Sequence, residues 1–173
     1  MTKEKTTIVC ESIFSDNSEH RFLLSKVWDK SKPIINVITI SPSRDYNVAS
    51  DLTTQLINNN VYQLGNYGGF TLTNIISRVG LNVKGLKSTD DLYNEETDKY
   101  IIDAAEKSSV VIWATGKFTD TRKIFLKRKQ AVLELLKPFE SKLFMITDHN
   151  GREFLHPLTP SIRQGWILKP IKS

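Results

Sequence analysis

Four apolar, β-branched runs divide the chain: PIINVITI (33–40), GFTLTNII (69–76), SVVIWAT (109–115) and KLFMIT (142–147). Runs with so little polar alternation suit strands covered on both faces, the signature of a parallel sheet between helices. The stretches between them, NVASDLTTQLINNNV, DKYIIDAAEKS and TRKIFLKRKQ, are all helix-compatible. Alternation of this kind predicts a three-layer α/β/α arrangement around a central four-stranded parallel sheet. Ahead of it, TTIVCESIF and HRFLLSKVW flank the polar turn SDNSE and read as an antiparallel hairpin at the sheet edge. With 173 residues and neither repeat nor linker, a single domain over 1–173 is expected.

The charge balance of +5 favours a polyanionic partner. Much of the excess lies between Lys117 and Lys142, where Phe125, Ala131, Val132, Leu135 and Leu136 recur at helical spacing until Pro138 ends the run. Lys123, Lys127, Arg128 and Lys129 then fall mostly on the wet side, either as a solvated face or as nucleic-acid contacts. One cysteine, Cys10, precludes an internal disulfide and reads as a buried thiol. Three scattered histidines, His20, His149 and His156, offer no metal-ligand spacing, so neither metal nor cofactor is expected. No run reaches membrane-spanning length and MTKEKTT lacks the apolar core of a signal peptide, so the reading is cytosolic, with no membrane partner.

In open α/β sheets ligands gather where the loops after the strands converge. The first strand leads into SPSRDYNVASDLT, the second ends on Asn74, the third enters WATGKF, and the fourth is followed by DHNGREFLHPLTPS. In that last segment Pro157 and Pro160 rule out regular structure and hold His156 in a stiff loop, either as a capped turn or as a functional ring. Asn74 serves a base edge or its own turn, and Asp51 serves as a water-handling carboxylate or as a helix N-cap. The glycine pair Gly68 and Gly69 lacks the P-loop pattern and reads as a tight turn before a strand.

Taken in order, RFLL (21–24), ISPS (40–43), DLT (51–53), TNI (73–75), WATG (113–116) and HPL (156–158) resemble a bacterial and phage family of uncharacterised proteins, the domain-of-unknown-function family sixteen-forty-three. That pattern has Asn where Ser41 stands, Pro where Leu52 stands, and Trp-Gly where two residues separate Trp113 from Gly116. More distantly, the same ordered loops are similar to the uracil-DNA glycosylase superfamily. This second resemblance implies a uracil-DNA-glycosylase-like fold and hydrolysis of the N-glycosidic bond of a modified or damaged pyrimidine.

By that resemblance His156 donates to the oxyanion developing on the departing base, a contribution of about 3 to 4 kcal/mol. Asn74 reads the base edge; Tyr67, Phe70 and Phe118 are stacking candidates. Asp45 and Asp51 are the choices for handling water, because a carboxylate orients water where a serine without a base cannot deprotonate it. Ser41 and Ser43 give weaker positioning. Leu158 or Ile162 would be the wedge in a flipping step, and Arg163 with the basic helix would hold phosphates. DNA is the first expected partner, RNA or a nucleotide the next. A base-binding protein that has lost hydrolysis, and a hydrolase or transferase of free nucleosides or nucleotides, are the competing expectations.

Overall fold

The computed structural model describes residues 1–43, 49–81, 92–120 and 123–171. Its elements run β1 (Val9–Phe14), β2 (Arg21–Val27), β3 (Ile34–Thr39), α1 (Leu52–Gln63), β4 (Gly69–Asn74), α2 (Glu95–Lys107), β5 (Val110–Trp113), α3 (Lys123–Leu135), β6 (Leu143–Thr147) and β7 (Ile167–Pro170). Together the strands form one mixed sheet of seven, ordered β1-β2-β4-β3-β5-β6-β7. The four apolar runs supply β3 to β6, which pair in parallel as β4-β3-β5-β6. The N-terminal hairpin extends one side of the sheet, β2 lying antiparallel to β4.

The sheet is wider than the sequence suggests, because β7 adds an antiparallel strand against β6. Its sequence, ILKP, is only four residues long and ends in a lysine and a proline, as suits an edge strand.

Burial explains the unbroken apolar runs. Ile35 and Val37 of β3, Phe70 and Leu72 of β4, and Ile112 of β5 pack with Ile57 and Val61 of α1. The alternate residues, Ile38, Val111 and Trp113, pack with Ile101 and Ala105 of α2 and with Phe125 and Val132 of α3. Helices therefore cover both faces; the exception to the apolar filling is the second face of β4, where Thr71 and Thr73 donate to the buried Asn36 of β3.

Two local features lock the elements in place. Asp51 caps α1 by accepting from Thr54 N at 2.6 Å, and Asn94 forms a capping box with Thr97 at the start of α2. Gly68 and Gly69 begin β4 where the chain passes so close to the end of β2 that a Cβ on Gly68 would lie 1.8 Å from Asp29 O. This pair is a close backbone approach, and it makes no phosphate loop.

The basic helix departs from expectation at one residue. Arg128 is buried, with its Nε donating to Ile75 O at 2.6 Å, its guanidinium bonded to Asp98 at 2.5 Å and its plane 3.7 Å from the Tyr93 ring centroid. It stands one turn after the buried Phe125 and one turn before Val132, on the stripe that packs against the sheet. Its planar fork satisfies both a strand-end carbonyl and a carboxylate, which a surface role would not require. Ala131, expected on the apolar face, is exposed.

Arg128→Gln is expected to cost about 2 to 3 kcal/mol, since it removes a charge-assisted bond and leaves Asp98 unpaired. Urea unfolding followed by circular dichroism measures this, and Lys127→Gln at an exposed site of the same helix should change stability by less than about 0.5 kcal/mol.

Candidate functional site

The loop after β3, the start of α1 and the loop between β6 and β7 meet over the carboxyl ends of the parallel strands. There they enclose a cavity of about 170 Å³. Ser41, Ser43, Asp51 and His156, expected from separate stretches of sequence, all line it. Arg21, Thr39, Thr53 and Thr54 complete its polar wall. A second cavity of about 380 Å³ lies beside it, lined by Thr115, Gly116, Lys117, Phe154, Leu155 and Thr159, and the two share Ile40 and His156.

His156 is held from several directions. Leu158 N donates to its Nδ1 at 3.2 Å, so in the neutral ring the proton resides on Nε2. Its carbonyl accepts from Thr159 N at 2.8 Å, and Leu155 N donates to Ile146 O at 3.0 Å, which ties the loop to β6. Gly116 stands against the root of this side chain: its φ is +67°, and a Cβ there would lie 2.9 Å from His156 Cβ. Only glycine combines that left-handed backbone with that clearance. The two extra residues between Trp113 and Gly116 thus end on the glycine that seats the histidine.

The base of the loop is clamped by Asp148, which is buried just after β6. Its Oδ1 accepts from Asn150 N and Arg152 N, each at 3.0 Å, and its Oδ2 from Arg152 Nε and Ser161 Oγ, each at 2.8 Å. Burial alone would raise this carboxyl, but the bonds from Ser161 and Arg152 and the charge of Arg152 outweigh it and hold the pKa at about 2. Because the folded value lies below the ordinary 3.8, the stability from this clamp is present above that value and lost as pH falls toward about 2.

The charges facing the cavity have different roles. Burial lowers the His156 pKa below its ordinary 6.5, and the Asp51 charge partly opposes this by raising it. The ring is therefore neutral at pH 7 and a hydrogen-bond donor at Nε2. Asp51 is at once the cap of α1 and a wall of the cavity, since one oxygen takes Thr54 N. Arg21, buried at the start of β2, brings five donors and no acceptor to the same space.

Other expected residues stand elsewhere. Asn74 is buried behind the wall, with Nδ2 donating to Thr39 Oγ1 at 2.6 Å, and it meets the cavity only through that threonine. Its Oδ1 has no partner among the described residues. Phe70 and Ile162 are fully buried core residues, so the first is excluded from stacking on a ligand and the second from acting as a wedge. Tyr67 packs against the same core. Leu158 is exposed at the loop tip, and Arg163, also exposed, donates from Nε to its carbonyl at 3.0 Å. Lys123 and Lys127 are exposed, while Lys129 pairs with Asp120 at 2.6 Å. Asp45 and the side chain of Phe118 lie outside the described residues.

Cys10 is half-buried and lines neither of these two cavities. Among the described residues no group of three His, Cys, Asp or Glu is arranged to hold a metal, and no helix is long and apolar enough to cross a membrane. Arg21 is the cavity-lining charge to which the sequence motifs gave no role. Its one sequence signal is an arginine opening the otherwise apolar stretch RFLL.

Two measurements test this geometry. By NMR the His156 ring should titrate below 6.5, and Asp51→Asn should lower it further, because the carboxylate is the charge that favours the proton. Since the unfolded ring takes its proton at the higher pH, the stability gained from keeping it neutral is present above 6.5 and declines as pH falls. Gly116→Ala should displace the ring, return its pKa toward 6.5 and cost about 1 kcal/mol or more. An unchanged titration would show that Gly116 does not seat His156.

No curated protein and no solved structure matches the chain. The family described as Protein of unknown function (DUF1643) matches residues 21–158, from the first residue of β2 to just past His156, and the chain belongs to that family.

Proposed function

We propose that this protein is glycosylase-like, with a uracil-DNA-glycosylase-like three-layer fold, and hydrolyses the N-glycosidic bond of a modified or damaged pyrimidine in nucleic acid, DNA being the expected polymer. The observation that carries the reading is the state of His156: a neutral ring, its Nδ1 occupied by Leu158 N, facing a cavity that also holds a carboxylate. A neutral imidazole with its proton on Nε2 is the donor that an oxyanion on a departing base requires. The cavity is smaller than the roughly 300 to 1,000 Å³ of sites for drug-sized ligands, which suits a single small ring or sugar.

In this mechanism the bond between C1′ and the base nitrogen breaks with its electron pair going to the base. His156 Nε2–H stabilises the charge gathering on the base oxygen. Asp51, on the cavity wall, faces the positive sugar and orients a water, whose oxygen bonds to C1′ as the carboxylate takes its proton. The exposed Lys123, Lys127 and Arg163 would contact phosphates, and Leu158 at the loop tip would fill the space left by an extruded base.

Ser41, standing where the family pattern has Asn, favours a second reading in which the cleft binds a nucleotide unit without cleaving it. One experiment separates the two: single- and double-stranded DNA with normal, deaminated and hypermodified pyrimidines is incubated with the protein and released base is measured by mass spectrometry. The expected result is release of one base, reduced about 100- to 1,000-fold in His156→Ala while the variant stays folded. Salt-dependent retention of DNA with no release would establish the binding protein instead. Release unaffected by His156→Ala would overturn the role given to the histidine.

A further inference from the structure

The chain leaves β3 in one direction through α1 to β4, then crosses back through α2 to β5 on the other side of β3. The two crossover helices lie on opposite faces of the sheet. A reversal of this kind opens a crevice outside the carboxyl ends of the two strands where the connections diverge, the usual ligand position in open α/β sheets. Here that crevice is the second cavity: Ile40 follows β3, while Thr115, Gly116 and Lys117 follow β5. The polar cavity lies to one side of it, toward β2, β4 and α1.

The two cavities differ in chemistry. The polar one carries Arg21, Asp51 and hydroxyl groups, whereas the crevice has hydrocarbon walls from Ile40, Phe154 and Leu155, with the exposed Lys117 at its rim. Phe154 has a φ of 54°, a left-handed backbone that costs a bulky residue free energy and persists only where the surroundings enforce it. That backbone holds an aromatic ring on the crevice wall, packed on one side against the core; Lys129 Nζ lies over the ring 5.5 Å from its centroid and is neutralised by Asp120, which leaves Lys117 as the exposed cation at the rim. An aromatic platform with a cation at its rim is a recurring way to hold an unpaired base beside its phosphate.

We propose that the crevice between the ends of β3 and β5 is a second base-binding subsite, so that the ligand is an unpaired nucleic-acid strand at least two nucleotides long. One unit enters the polar cavity and its neighbour stacks on Phe154, with His156 between them. The inference rests on the nucleic-acid reading above and adds strand type and length to it. A base seated in the crevice has left its duplex, so single strands are the preferred substrate.

The test measures binding of the full chain to thymidine 5′-monophosphate, the dinucleotide d(TpT), single-stranded dT12 and the dT12·dA12 duplex at low salt. Single-stranded dT12 should bind at least about 5-fold more tightly than the duplex, and d(TpT) about 5- to 100-fold more tightly than the mononucleotide. Phe154→Leu keeps hydrocarbon over the core but removes the aromatic face and should abolish both preferences, while Phe154→Tyr restores them. Lys117→Glu, on the exposed rim, should weaken dT12 binding and lower its salt dependence without disturbing the fold. Single-strand binding equal in Phe154→Leu and the parent, or equal affinity for the mono- and dinucleotide, overturns the second subsite and leaves the glycosylase reading intact. Failure to bind any of the four ligands overturns both.

Discussion

Burial of β3 on both faces and along both edges is the constraint from which the rest of this protein follows. Ile35, Val37 and Ile38 have no exposed surface, and the strand has β4 on one side and β5 on the other. A strand so enclosed leaves its successors no place except outward in opposite directions, each with its own covering helix. Burial of each of these side chains contributes about 1.5 to 3 kcal/mol, so shifting β3 by one residue would sacrifice several of them together. The crevice at the end of β3 is thus a consequence of how the core is filled.

Around that crevice, rigidity comes from groups that never face a ligand. Asp148 gathers its own loop and Ser161, Arg128 holds the carbonyl just after Asn74, and Asn74 in turn holds Thr39 on the cavity wall. Asp148 and Arg128 are buried polar groups whose bonds compensate for their loss of water, whereas Asn74 is bonded at Nδ2 and its Oδ1 has no partner among the described residues. Together they fix the ends of β3, β4 and β6 while leaving His156, Asp51 and Arg21 to face the cavity. The positively charged helix therefore has two faces, with Arg128 turned to the core and Lys123 and Lys127 to solvent.

Much of this was legible in the residues themselves. The four apolar runs became β3 to β6, the hairpin formed around SDNSE, and Ser41, Ser43, Asp51 and His156 converged on one cavity because each follows a strand of the same parallel set. Strand β7 was hidden by its shortness and its Lys-Pro ending, which an edge strand tolerates because only one side of it pairs. Phe70 was a candidate for stacking, but it lies within the apolar run GFTLTNII, and the close approach of Gly69 to Lys26 O begins a core strand there that buries its ring. Arg128 was misplaced because charge patterning assigns every cation to water, and pairing with a carbonyl and a carboxylate from other elements reverses that preference.

The sequence alone determined the alternation of strand and helix and the polar content of each strand end, because apolar periodicity and proline placement act locally. Tertiary structure alone decided which of those ends share a space. It set Arg21 from the hairpin beside Asp51, and it brought Gly116 against His156, forty residues later in the chain. It also raised Phe154 on a left-handed backbone at the crevice where the connections reverse. These contacts join residues far apart in sequence, and they follow from the order of strands in the sheet, which no local pattern encodes.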